Sequence, residues 1–181
     1  MSEYNLEELN ILVVDDHPNM HAILRAILTA MRIKKVRYCD NPAEALSEMR
    51  NEAPDIIITD WKMEPLDGLE FVRQVRTAED SPNPYVPIIM LTGYTEQGRI
   101  CEARDAGVNE FLKKPIAITS LRARIINIID HPRAFIKTDS FFGPDRRRRH
   151  IDKDYKGPRR RADDEAVEEV TDCDDSATSA K

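Results

Sequence analysis

Apolar residues gather into short runs of strand length, divided by longer stretches in which they recur at helical spacing. Ile11-Leu12-Val13-Val14 is the first run, and Val36 to Cys39 is a weaker second. Ile56-Ile57-Ile58 is a β-branched third, the segment from Val86 to Leu91 a fourth, and Glu110 to Lys113 a fifth. Unbroken apolar runs suit strands buried on both faces. Between them, Ile23, Leu24, Ile27, Leu28 and Met31 give one helical stripe, Ala45, Leu46 and Met49 a second, and Leu69, Phe71, Val72 and Val75 a third. Pro18 suits a first helical turn, and Asn41-Pro42 caps the second helix. A fourth helix is predicted over 95–106, stopping at Gly107. A fifth is predicted over 118–130, with Leu121, Ile125, Ile128 and Ile129 facing inward, and it stops before Pro132. Strands alternating with helices in this way predict an α/β fold: a doubly wound parallel sheet with helices on both faces and right-handed crossovers.

The polar residues that interrupt this pattern sit just past strand ends. Asp15 and Asp16 follow the first strand, Asp60 ends the third, Thr92 the fourth, and Lys114 the fifth. In an open α/β sheet the site lies beyond the carboxyl ends of the strands. The bland alternative, an Asp60 that merely caps the next turn, leaves the other polar strand ends unexplained. Three converging carboxylates repel one another and call for protons or a cation. All-oxygen ligands with room for water suit Mg²⁺, held by Asp15, Asp16, Asp60 and the carbonyl of Lys62. One carboxylate oxygen then remains as a nucleophile toward phosphorus. Lys114 can bind one oxygen of an arriving phosphoryl group and Thr92 another.

These residues resemble the CheY-like receiver domain of response regulators. The matching motifs are Val13-Val14-Asp15-Asp16, Ile58-Thr59-Asp60-Trp61, Asp67-Gly68, Leu91-Thr92-Gly93 and Phe111-Leu112-Lys113-Lys114-Pro115. The resemblance covers residues 8–131 and implies the flavodoxin-like (βα)5 arrangement. It implies that Asp60 accepts a phosphoryl group from a histidine kinase, with Mg²⁺ on Asp15, Asp16 and Asp60. Thr92 and Phe111 become the switch pair, and the Lys114–Pro115 bond becomes cis. Catalysis in the ordinary sense is not expected beyond self-catalysed phosphotransfer and dephosphorylation. Two departures stand out: Lys62 puts a cation beside Asp60, and Ala117 replaces the Ser or Thr often found soon after the Lys-Pro pair.

Charge changes the picture beyond residue 131. Residues 1–131 carry 15 Lys/Arg against 21 Asp/Glu, residues 132–161 carry 11 against 4, and residues 162–181 carry 1 against 8. The chain therefore reads as an acidic receiver (8–131), an arginine-rich arm (132–164) and an acidic tail (165–181). Apolar side chains are too sparse past 136 to offset chain entropy, so arm and tail are expected to be largely disordered without a partner. Cys39, Cys101 and Cys173 lack metal-ligand spacing and suggest a reducing compartment without a disulfide framework. No apolar run approaches the roughly 18 residues that span a bilayer. A cytoplasmic protein without membrane insertion is expected.

The arm repeats itself. Phe141-Phe-Gly-Pro144 and Tyr155-Lys-Gly-Pro158 each lead into arginines, Arg146, Arg147, Arg148 and Arg149 in one case and Arg159, Arg160 and Arg161 in the other. Arg149 to Asp152, Arg160 to Asp163 and Arg161 to Asp164 share one spacing. Arginine grips phosphate and reads one edge of guanine, and a carboxylate can accept from the other edge. A compact guanine anion with two phosphates, such as cyclic di-GMP, satisfies both. The stretch resembles the arginine-rich extensions of CheY-like cyclic-di-GMP effectors. That resemblance implies a ligand-ordered arm docking on a flagellar motor switch protein, with recruitment to the flagellar base at the cell pole, to control motility. A conventional single-domain regulator acting through aspartyl phosphorylation, in a phosphorelay or in chemotaxis, is the alternative. A nucleic-acid-binding arm is disfavoured, because the interspersed aspartates and acidic end would repel a polyphosphate. The tail carboxylates Glu165, Glu168, Glu169 and Asp172 are expected either to solubilise or to cover the arginines.

Overall fold

A computed structural model describes residues 5–93, 99–137 and 142–145. The chain divides into two compact units, 1–144 and 145–181, and the described residues belong almost wholly to the first. The first unit is built on five parallel strands: β1 (Asn10–Val14), β2 (Lys35–Cys39), β3 (Ile56–Asp60), β4 (Ile88–Thr92) and β5 (Glu110–Lys113). Five helices connect or follow them: α1 (Pro18–Ala30), α2 (Pro42–Asn51), α3 (Gly68–Thr77), α4 (Ile100–Asp105) and α5 (Ile118–Asp130). The strand order is β2-β1-β3-β4-β5, all pairs parallel. This is the doubly wound parallel sheet expected from the alternating pattern, in the flavodoxin-like arrangement that the resemblance implied. The first half of the helix expected over 95–106 lies largely outside the described residues, as does nearly all of the arm from Asp145 onward and the whole tail.

Side-chain alternation along each strand splits the core in two. Leu12, Val14, Ile57, Ile88 and Met90 face one cluster with Ala45 and Met49 of α2, Leu69, Phe71, Val72 and Val75 of α3, and Ala103 of α4. Ile11, Val13, Ile56, Ile58, Ile89 and Leu91 face the other, with Leu24, Ile27 and Leu28 of α1 and Leu121 and Ile125 of α5. The continuous apolar runs in the sequence are thus two interleaved half-patterns, one for each layer. Asn41 caps α2, its Oδ1 accepting from the Glu44 amide at 2.9 Å. Asp67 caps α3, its Oδ1 accepting from the Glu70 amide at 2.8 Å, so Asp60 is not needed there.

Three expectations are corrected. Ile129 is exposed, because the buried stripe of α5 runs through Leu121, Ile125 and the half-buried Ile128 and places Ile129 at its edge. Cys101 is disulfide-bonded, against the reading of uniformly unpaired thiols, whereas Cys39 is free and buried. The stretch just past α5 does not run free: β6 (Phe135–Lys137) pairs antiparallel with β7 (Phe142–Pro144). The aromatic rings supply what the count of apolar residues missed. Tyr85, Phe135 and Phe142 meet at centroid distances of 5.2, 5.4 and 5.8 Å, and the Arg76 guanidinium carbon lies 5.1 Å from the Phe135 ring. Arg76, of which the sequence reading said nothing, is buried as well. It donates to the carbonyls of Gly107 at 3.1 Å and Pro84 at 2.7 Å, and to Asn109 Oδ1 at 3.0 Å. Charged groups are buried only when so paired. No helix among the described residues is long and apolar enough to cross a membrane.

Candidate functional site

The strand order reverses between β1 and β3, and ligands of such sheets sit at that crevice. Val14 lies opposite Thr59 in the register, which sets the following residues, Asp15 and Asp60, abreast across it. Both carboxylates are buried, Asp15 completely. The chain leaves β1 through Asp15 and Asp16 because Pro18 opens α1, and the His17 amide donates to Asp15 Oδ1 at 2.8 Å. It leaves β3 at Asp60, whose Oδ1 accepts from the Trp61 amide at 2.8 Å. The Glu64 amide, in the loop after β3, reaches across to Asp16 Oδ2 at 3.2 Å.

Lys114 enters from β5. Its backbone amide donates to the Thr92 carbonyl at 2.8 Å, and its Nζ stands 2.7 Å from Asp60 Oδ1 and 3.9 Å from Asp15 Oδ2. The Lys114–Pro115 peptide is cis, as the resemblance implied, and so is Glu64–Pro65. Thr92 is buried at the end of β4, and Phe111 is half-buried on β5 opposite Met90, packed against the α3-side core. Lys62 is exposed. Asp15, Asp16, Asp60 and Lys114 therefore converge, and Thr92 joins them through its backbone carbonyl. The arm residues Arg146 to Arg149, Asp152, Tyr155, Arg159 to Arg161, Asp163 and Asp164 lie outside the described residues.

The electrostatics call for a cation. Burial pushes the Asp15 carboxyl above its ordinary range and Asp60 adds repulsion, while the His17 amide, Lys114 and the His17 ring pull the other way. Asp15 Oδ2 is buried and accepts no hydrogen bond. A buried carboxylate oxygen without a donor is costly, and a metal ion would satisfy it. Asp15, Asp16, His17 and Asp60 each place one ligand atom within 4.8 Å of the others. The three carboxylates of this set are hard oxygen donors and fit a divalent cation such as Mg²⁺. His17 was missed from the sequence. Its signal was the position directly after the Asp-Asp pair, where the turn into α1 keeps the ring beside both carboxylates.

Comparison with known proteins agrees with this arrangement. The family model for the response regulator receiver domain matches residues 11–126. The chemotaxis protein CheY of Pseudomonas aeruginosa is 30% identical over 122 residues, spanning 67% of this chain and 97% of the relative. The chemotaxis protein CheY-3 of Vibrio cholerae is 27% identical over 124 residues, spanning 68% and 94%. Among solved structures, Vibrio cholerae CheY4 superimposes with a TM-score of 0.60 at 28% identity, covering 66% of this chain and 98% of its own. The receiver domain of a Pseudomonas aeruginosa sensor histidine kinase does so with a TM-score of 0.57 at 29% identity, covering 66% and 94%. That structure has a magnesium ion coordinated in the active-site cleft.

Proposed function

The chain belongs to the response regulator receiver domain family, and from that premise we propose that Asp60 is its phosphoacceptor and that the resulting change of charge is its output signal. The carrying observation is the buried Asp60 carboxylate with Lys114 Nζ 2.7 Å away and Asp15 abreast of it. Asp60 Oδ1 already receives the Trp61 amide and Lys114, which leaves Oδ2 as the atom that attacks phosphorus and displaces the donor's leaving group. Lys114 then moves from Asp60 to a phosphoryl oxygen, and the Thr92 hydroxyl binds another. Asp15, Asp16, Asp60 and the Lys62 carbonyl would hold Mg²⁺, which when bound shields the carboxylates from the incoming oxygens. Thr92, at the end of β4, and Phe111, on the neighbouring strand β5, are the pair through which the new charge reaches the surface. The partner on the input side is a histidine kinase, in the cytoplasm. Incubation with phosphoramidate and magnesium should give a phosphoryl adduct on the full chain and none on Asp60→Asn. An adduct that persists in the variant would refute the assignment.

A finer reading rests on the arginine repeat. The paired aromatic-Gly-Pro-arginine stretches with Arg-x-x-Asp spacing support cyclic-di-GMP binding by the arm, followed by docking on a flagellar motor switch protein. Similarity to chemotaxis proteins is consistent with a motility role, and it supports a conventional phosphorylation-driven regulator equally well. Calorimetric titration separates the two. Heat with the full chain but not with residues 1–144 supports the nucleotide sensor, and no heat in either leaves the phosphorylation-driven regulator. In the first case Asp60→Asn should retain nucleotide binding, and replacing Arg148, Arg149 and Asp152 by Ala should remove it.

A further inference from the structure

The acidic cluster contains one donor that an all-oxygen magnesium shell does not use. His17 Nδ1 lies 2.5 Å from Asp16 Oδ1 and 3.5 Å from Asp15 Oδ1. Its ligand atom and those of Asp15, Asp16 and Asp60 all fall within 4.8 Å of one another. A shell with bonds of about 2.1 Å spaces neighbouring donors by about 3 Å and opposite donors by about 4.2 Å. Small side-chain adjustments therefore close four donors around one ion. The buried Asp15 Oδ2, which accepts no hydrogen bond, points to the same occupant. The imidazole is 68% exposed, so the ring can turn onto an ion without repacking the core. Its backbone amide stays tied to Asp15 whatever the ring does.

We propose that His17 is a direct metal ligand and that it shifts this site's preference from Mg²⁺ toward borderline transition cations of the Ni²⁺ and Zn²⁺ type. The inference rests on the receiver reading of the cluster as a cation site and adds to it the choice of ion. Mg²⁺ takes oxygen donors and surrenders water reluctantly, whereas imidazole nitrogen favours the later first-row ions. His21 stands one helical turn further along α1, and its Nδ1 faces Asp40 at 3.6 Å. A site made by the two histidines alone is the competing arrangement that the test separates. Lys114 Nζ, at 2.7 Å from Asp60, is the internal cation that any bound ion has to displace or share with.

Trp61 is the single tryptophan, is buried, and donates its amide to Asp60 Oδ1, so its fluorescence reports on the cluster without any activity assay. The full chain and its His17→Ala, His21→Ala and Asp15→Asn variants are titrated with MgCl₂ and with NiCl₂. His17→Ala should weaken Ni²⁺ at least about tenfold while leaving Mg²⁺ within about twofold. His21→Ala should change neither, and Asp15→Asn should weaken both. Equal losses for the two ions in His17→Ala, or no loss for Ni²⁺, would overturn the proposal while the magnesium site stands. A loss in His21→Ala matching that in His17→Ala would overturn it in favour of a two-histidine surface site. If neither ion moves the fluorescence of the unsubstituted chain, the reading of the cluster as a cation site falls as well.

Discussion

Gly68 shows how a single residue controls the backbone at Asp60. A Cβ added there would stand 1.9 Å from the Asp60 carbonyl oxygen and 3.2 Å from the Trp61 Cα, both rigid backbone. The Gly68 amide also donates to the Trp61 carbonyl at 2.8 Å. Gly68→Ala should therefore cost about 1–3 kcal/mol and slow labelling of Asp60 by phosphoramidate. Urea titration checks the first effect, and an unchanged midpoint would mean that the loop yields freely. Cys39 illustrates the opposite case, a reactive group silenced by its surroundings. Burial, chiefly, pushes its thiol up to about 12. Folding thus favours the protonated thiol over the nucleophilic thiolate. Iodoacetamide at about pH 8 should leave Cys39 unmodified in the native protein and label it once denaturant is added, as peptide mass mapping will show.

Among the elements, the β6–β7 ribbon and the buried Glu110 tie the end of the receiver to its body. Glu110, first residue of β5, accepts from Arg124 at 3.1 Å and Asn127 at 2.7 Å, both on α5, and from Arg133 beyond it at 3.3 Å. One carboxylate thus fixes β5, α5 and the start of the extension together. Glu110→Ala strands these donors and should destabilise by about 1–3 kcal/mol. Phe135→Ala removes the ring shared by Tyr85, Phe142 and Arg76 and should cost about as much. Ile136→Ala, on the exposed side of the same strand, should stay within about 0.5 kcal/mol. Chemical denaturation of the three variants ranks them. If Phe135→Ala proves as mild as Ile136→Ala, the ribbon is not part of the folded unit. Hydrophobic spacing located the main strands and helices. It missed the ribbon because three-residue strands held by aromatic contacts have no period to detect.

Across the whole molecule, stability and function oppose each other at the acidic cluster. The raised pKa of Asp15 means that the fold prefers its neutral form. The sign follows from linkage: this contribution is fully present below the ordinary carboxylate pKa and is lost as pH rises through the raised one. Asp15→Asn, which keeps an oxygen for the His17 amide, should therefore raise Tm at neutral pH without divalent ions. Magnesium should raise Tm of the unsubstituted chain more than that of the variant. Calorimetry that finds no stabilisation in Asp15→Asn would show that the cluster is already relaxed, through Lys114. Hydrophobic patterning alone specified the layered parallel fold, because a strand buried on both faces must be apolar throughout and a helix on one face must be striped. It also placed Asp15, Asp16, Asp60, Thr92 and Lys114 at one edge, because strand ends in a parallel sheet coincide. Which polar atoms meet emerged from the folded geometry: Lys114 on Asp60, His17 among the carboxylates, Arg76 under Phe135. Those pairings join residues far apart in the chain or depend on how one turn points a ring, and neither distance nor direction is carried by a one-dimensional pattern.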